Sequence, residues 1–431
     1  MGRDCCIAGL LSGRASLSAL LIILSGIVSA AEWTISPSLN VRESYNDNIR
    51  LTTLKHPNVT TTTIQPKVDF GWATERTNIN LLGDWRYNRY AGDPNLKNRT
   101  DSTYKLKSAY KTELSEFFLD ANYVNDTTLQ QEEYNEDIGQ TLTQEDRLSK
   151  QLAPAWSWNL SEQTNLRFDL QYQGVAYEKS ILSSYNDYTY DSAGVTYTYR
   201  WTERDQVYVI VNNSRYESKK RPFILANEMV SFSRYIGSNS NTKQYQAGIR
   251  HQFSSTSTMQ LLYGQRYTDS QTLYQVCTQV QNFPPPCLDT GETQTSSSSK
   301  SPVYTFSYDK GFELTKFDIS LSRTVIGSGL GSEMDTDSLN LNVTHQLTEK
   351  TTLGFKFMGY QRIAVNPDFS RNDQTYFRGD IKLGWRLDRN WSLSTFYRHT
   401  RQKYKSRDAI ATSNNISLNI RYVWDKLSKS R

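Results

Sequence analysis

The chain has 431 residues, and its 28 tyrosines, 9 tryptophans and 16 phenylalanines sit in a sequence that is only 37% hydrophobic; this combination argues against two or three soluble domains with dry cores. A net charge of +5, spread along the chain, excludes a nucleic-acid footprint. Past the first thirty residues no stretch approaches the roughly 18 apolar residues of a membrane-crossing helix, so a membrane role would fall to strands.

Residues 1–30 read as a signal peptide. Arg3 and Arg14 give a positive start, Leu17 to Val28 is a short apolar run, and Val28-Ser29-Ala30 supplies the small residues of a cleavage site before Ala31. Cys5 and Cys6 would leave with it. Residues 31–431 are then one domain.

From Ala31 onward, apolar and polar residues alternate in blocks of about ten, the pattern of an outer-membrane barrel. Trp33, Ile35, Leu39 and Val41 share one parity against Thr34, Ser36, Ser38 and Asn40; Ile64, Val68, Phe70 and Trp72 repeat it. Short connections are expected near Glu75-Arg76, Glu113-Leu114, Ser161-Glu162, Thr202-Glu203-Arg204, Ser254-Ser255, Glu313-Leu314, Thr348-Glu349-Lys350 and Asp388-Arg389-Asn390. Longer links fall around 44–57, 91–101, 125–146, 178–187, 217–241, 268–300, 326–337, 362–375 and 402–412. Eight turns alternating with nine loops predict an all-β, up-and-down antiparallel transmembrane β-barrel of about 18 strands, with short periplasmic turns and long extracellular loops. The blocks at 58–63 and 147–155 alternate poorly, which leaves the range at sixteen to eighteen.

Tryptophan gives an independent check. Trp33, Trp72, Trp156, Trp158, Trp201, Trp385, Trp391 and Trp424 all lie near periplasmic strand ends, as an interfacial girdle requires. Tyr87, Tyr104, Tyr123, Tyr172, Tyr216, Tyr263, Tyr304 and Tyr397 lie toward the opposite ends and are expected to form the outer belt. The last block, Ile416 to Trp424, is expected to close against the first.

The other parity should line the lumen. Its charged members include Lys67, Asp69, Asp84, Arg86, Arg167, Asp169, Arg250, Arg266, Arg378, Asp380, Arg398 and Arg421. They compose either a wet, mildly cationic passage or arginine–aspartate ladders that brace the wall, and the recurring Asp84/Arg86, Arg167/Asp169 and Arg378/Asp380 pairs favour bracing. The loops at 217–241 and 268–300 are the expected lids.

Cys277 and Cys287 sit in one polar, proline-rich segment and read as a local disulfide in an oxidising compartment, the rival being a two-thiol metal clip. No metalloprotease helix, nucleophile elbow or phosphate loop occurs, and the four histidines are scattered, so neither catalytic residues nor cofactors nor a metal site are expected. Glu333, Asp335 and Asp337 read as a solvated loop rather than a calcium site. His399 with Ser413 or Asp408 is the best enzyme-like grouping the sequence offers.

The opening of the mature chain, the strand from Trp33 followed by Glu43-Ser-Tyr-Asn-Asp-Asn48-Ile-Arg-Leu51, with Gln65-Pro66 and Asn80-Leu-Leu-Gly-Asp-Trp-Arg-Tyr87 beyond it, resembles the outer-membrane β-barrel family associated with PEP-CTERM/exosortase systems, and is similar to the β-barrel porin-2 group. The resemblance implies a Gram-negative outer-membrane protein working beside exopolysaccharide production and export. It carries over only Tyr45, Asp47 and Asn48, as a turn at the outer rim. The expected function is a porin-like channel; the alternative is a non-conducting structural or assembly barrel whose loops bind polysaccharide or an envelope protein. Expected partners are outer-membrane lipid and lipopolysaccharide, with exopolysaccharide or small anionic or sugar-like solutes.

Overall fold

A computed structural model describes residues 31–129, 144–178, 185–218, 233–280, 287–328, 332–365, 373–404, 409–425 and 427–430; the signal segment lies outside them. The strands are β1 (Glu32–Asn46), β2 (Val59–Ala73), β3 (Thr77–Ala91), β4 (Arg99–Lys111), β5 (Ser115–Thr127), β6 (Asp146–Asn159), β7 (Thr164–Tyr177), β8 (Tyr188–Arg200), β9 (Asp205–Ser218), β10 (Ser233–Ser254), β11 (Ser257–Val280), β12 (Cys287–Gly311), β13 (Thr315–Ile326), β14 (Met334–Gln346), β15 (Thr351–Ala364), β16 (Gln374–Arg386), β17 (Trp391–Tyr404), β18 (Ile410–Val423) and β19 (Leu427–Ser430).

From β1 to β18 each strand pairs antiparallel with its sequence neighbours, and β1 also pairs with β18, through Leu39↔Tyr422 and Tyr45↔Ile416. That seam closes the cylinder, so among the described residues no backbone edge faces outward along its length. After a break at Trp424, β19 resumes along the start of β1, with Ile35 opposite Leu427 and Glu32 opposite Ser430. The barrel therefore has eighteen staves, the last in two pieces. The poorly alternating blocks at 58–63 and 147–155 fall inside β2 and β6.

All eight tight turns stand where the sequence places them, and most have one chemical device. An oxygen of the first turn residue accepts backbone N–H groups two and three positions on: Thr74 from Arg76 and Thr77, Thr202 from Arg204 and Asp205, Thr348 from Lys350 and Thr351, Asp388 from Asn390 and Trp391. Such side-chain caps make short reversals locally stable.

Burial is inverted relative to a soluble protein. Val41, Ile64, Leu81, Leu170, Ile249, Ile381 and Leu418 are between 40% and 55% exposed on the outer face, whereas Thr63, Asn88, Arg86, Ser214, Thr242, Arg266 and Gln402 are buried on the inner one. A closed sheet with this polarity has its apolar face toward hydrocarbon and its polar groups toward one another or water. The periplasmic end carries the indole belt: Phe117, Trp156, Trp158 and Phe168 stack in one outer patch, and Trp391, Tyr422 and Trp424 form another. Tyr87, Tyr104, Tyr123, Tyr172, Tyr263 and Tyr397 are exposed on the outer face, but Tyr216 is fully buried inside, a correction to the expected belt.

Of the expected loops at 217–241 and 268–300 the described residues are strand; 219–232 and 281–286 lie outside the described residues. β10, β11 and β12 have 22, 24 and 25 residues, against 12 to 15 in the other staves. The pairing of β12 with β13 stops at Tyr304↔Arg323, while its pairing with β11 continues to Val280↔Cys287. The three strands thus rise beyond the rim as a ribbon. There both parities are polar, with Thr268, Ser270 and Thr272 buried and Asp269 and Gln271 exposed, so the apolar–polar alternation that identifies the wall disappears. Serine- and threonine-rich segments such as Gln294–Lys300 then read as loop.

Candidate functional site: the barrel lumen

The inner wall is braced by charge pairs within and between strands. Lys67 lies 3.3 Å from Asp69, Arg86 3.6 Å from Asp84, and Arg167 2.8 Å from Asp169. Asp380 is gripped twice, by Arg378 and Arg398, each at 2.7 Å. Gln65 donates to both oxygens of Asp84, and Arg86 to Thr103 across the next strand. Alternation places the i, i+2 pairs on one face, which is how they meet. Arg250 and Arg421 are exposed, opposite Gln260 and Asn40 respectively.

Toward the periplasm the lumen is open. Inward groups there, Lys107, Asp120, Arg250, Asp309, Lys382 and Arg421, are all exposed. Toward the outside it is packed. Arg147 is paired with Asp126 at 3.0 Å, with side chains only 0% and 6% exposed, and two connections fold inward.

The first is the link between β1 and β2. Asn48 donates to the Thr412 carbonyl at 2.9 Å and to that of Thr52 at 2.8 Å, while Asp47 accepts from both the backbone and the side chain of Asn414 at 2.7 Å. These bonds staple the chain to β18 and drive Leu51, at a φ of 47°, into a buried cluster with Met358, Tyr360, Tyr376 and Ala411. The left-handed conformation of a leucine costs about 1–2 kcal/mol, which the apolar burial offsets. Beneath this link lies a polar cavity of about 80 Å³, lined by groups including Asn48, Thr63, Asn88, Tyr376, Arg398 and Asn415.

The second is the link between β13 and β14, whose described residues reach β9 and β10. The Tyr216 hydroxyl donates to the Ser328 carbonyl at 2.6 Å. A side chain at Gly327 would come within 3.2 Å of both the Tyr188 and Tyr216 rings, so the close approach calls for glycine. Glu333 accepts from Ser240 at 2.7 Å and Thr242 at 3.2 Å. Burial pushes the Glu333 carboxyl above the usual carboxylate range, against the pull of those hydroxyls. Asp335 takes Arg266 in a two-point grip, with distances of 2.7 and 2.9 Å, and accepts from Ser301.

Among the described residues the chain that enters the lumen belongs to these two shorter links; 219–232 and 281–286, the middle of the lids expected at 217–241 and 268–300, lie outside the described residues. Glu333 and Asp335 are not a solvated loop either: both are buried and hydrogen-bonded to the wall. No cluster of metal-binding side chains occurs among the described residues. His399 meets Asn414 at 2.9 Å, His251 meets Asp205 at 2.6 Å, and His345 meets Thr315 at 2.8 Å. Asp408, like the side chains of Cys277 and Cys287, lies outside the described residues. The backbone register sets Cys277 opposite Thr290 and Cys287 opposite Val280.

No protein-family model and no curated protein matches the chain. Among solved structures it is similar to Pseudomonas aeruginosa OpdK with vanillate, at 12% identity and a TM-score of 0.42 over 93% of this chain and 99% of that one. It is similar to Acinetobacter baumannii OccAB4, at 9% identity and a TM-score of 0.43 over 93% and 99%. The open form of the E. coli K12 ferric-catecholate import receptor Fiu gives 6% identity and a TM-score of 0.47 over 90% and 81%.

Proposed function

We propose that the protein is a porin-like channel of a Gram-negative outer membrane, delivered there by its N-terminal signal segment and serving a PEP-CTERM or exopolysaccharide surface system by passing small anionic or sugar-like solutes. The observation that carries this reading is the contrast along one cylinder: an apolar exterior, and an interior whose periplasmic half presents exposed charges while its outer half is narrowed by two inward links. A polar interior sealed from lipid supports passage of hydrated solutes. The resemblance of the first strand and its turn supports the surface-system assignment. Planar-bilayer recording of the purified barrel tests the channel: discrete conductance steps are expected, and a silent membrane containing folded barrel would sink the reading.

A second reading has its own observation. The outer half is packed tightly enough to bury Arg147, Arg266 and Arg362, which suits a non-conducting structural barrel. Excision of residues 329–331 separates the two: a channel narrowed by the β13–β14 link gains conductance, and a structural barrel stays silent.

A further inference from the structure

The most deeply buried arginines of the lumen fall into two groups. Arg147 has Asp126 and Arg266 has Asp335. Arg362, on β15, is 2% exposed and takes part in no ion pair among the described residues, and its Nε and Nη1 have no hydrogen-bond partner. A guanidinium cannot shed its charge at any physiological pH, so burial without an acceptor is costly.

Among the described residues its surroundings supply neutral polar groups and a ring, not a counter-charge. The guanidinium carbon sits 4.2 Å from the centre of the Tyr360 ring, which is stacked on Tyr376 at 4.6 Å and 10°. The ring face attracts the cation but leaves its in-plane N–H groups unused. Across the sheet the neighbours of Arg362 are Thr336 and Gln374, both neutral. Thr336 is buried too, and its hydroxyl has no partner. Two guanidinium donors and one hydroxyl therefore stand on adjacent strands without an acceptor. The group that completes them is an acceptor of single negative charge, matched to one uncompensated cation.

We propose that Arg362 and Thr336 form an anion site in the outer lumen that takes the carboxylate of a small monoanionic solute. Its role in passage rests on the channel reading above; binding itself does not, and is measured without current. Sodium acetate is titrated calorimetrically into the detergent-solubilised full barrel, and crystals soaked in sodium bromide are examined for anomalous scattering. Expected are a bromide peak within hydrogen-bond reach of Arg362 and an acetate affinity that falls about tenfold or more in Arg362→Gln, the loss of one charged donor pair. Arg362→Lys, which keeps the charge, should fall less, and Arg389→Gln, in the exposed turn between β16 and β17, should bind as the unaltered protein does. If Arg362→Gln does not fold, the soak and the lysine variant carry the test. Bromide at exposed arginines but not at Arg362, or undiminished acetate binding by folded Arg362→Gln, overturns the proposal. A silent bilayer beside a positive titration would remove the channel and leave the site.

Discussion

Two ion pairs on one inner wall show how the ends of the lumen differ. Arg147–Asp126 and Arg167–Asp169 have similar geometry, at 3.0 and 2.8 Å, but their side chains are 0% and 6% exposed in the first and 41% and 42% in the second. The first lies buried in the outer half; the second lines the periplasmic half. Water screens the second pair, so each partner has an alternative when the other is lost. Among the described residues no second cation pairs with Asp126. The same chemical unit is therefore structural at one end of the barrel and nearly dispensable at the other.

Replacing Arg147 by Ala should have the largest effect, about 3–5 kcal/mol of destabilisation, because it strands a buried carboxylate; urea unfolding in lipid vesicles measures it, and a loss below about 1 kcal/mol would remove the distinction between the halves. Next, Ile381→Arg on the outer face should cost about 2–4 kcal/mol in the same assay, since Ile381 is half exposed at mid-strand and would set a charge against hydrocarbon. A value near zero would mean that this face does not meet lipid. Arg167→Ala should cost less than about 1 kcal/mol, as exposed pairs do.

The smallest effect concerns Glu333 and is one of direction. Its carboxyl is raised by burial, so the inward link is most stable below the ordinary glutamate range and loses that stability as pH rises through the raised value. Open probability in bilayers should therefore increase with pH. Glu333→Gln, which cannot ionise, should flatten the dependence, and an unchanged pH profile in that variant would place the gate elsewhere.

The wall was legible in the sequence because lipid writes on it: one face must be apolar and the other polar, and the alternation in β2 or β18 records that demand residue by residue. Asp84/Arg86, Arg167/Asp169 and Arg378/Asp380 follow from parity alone, as does the Trp391–Tyr422–Trp424 cluster. Above the membrane neither face has to be apolar, so the record stops, and the upper parts of β10, β11 and β12 pass for loops. The inward links were hidden for another reason. Asp335 meets Arg266 and Ser328 meets Tyr216 at separations of 69 and 112 residues, and nothing local in a glycine-rich link announces its far partner. Tyr216 and Glu333 were misplaced together, because each is defined by the other wall of the lumen.

The seam between β1 and β18 has a temporal consequence. It joins Asp47 to Asn414 across 367 residues of chain, so no early portion can seal itself while the late portion is absent. Until that final zipper forms, both terminal staves are raw edges able to pair with strangers, and contacts so remote in sequence form slowly. A molecule of this design has to be escorted to its membrane unfinished, and it becomes watertight in a single last act.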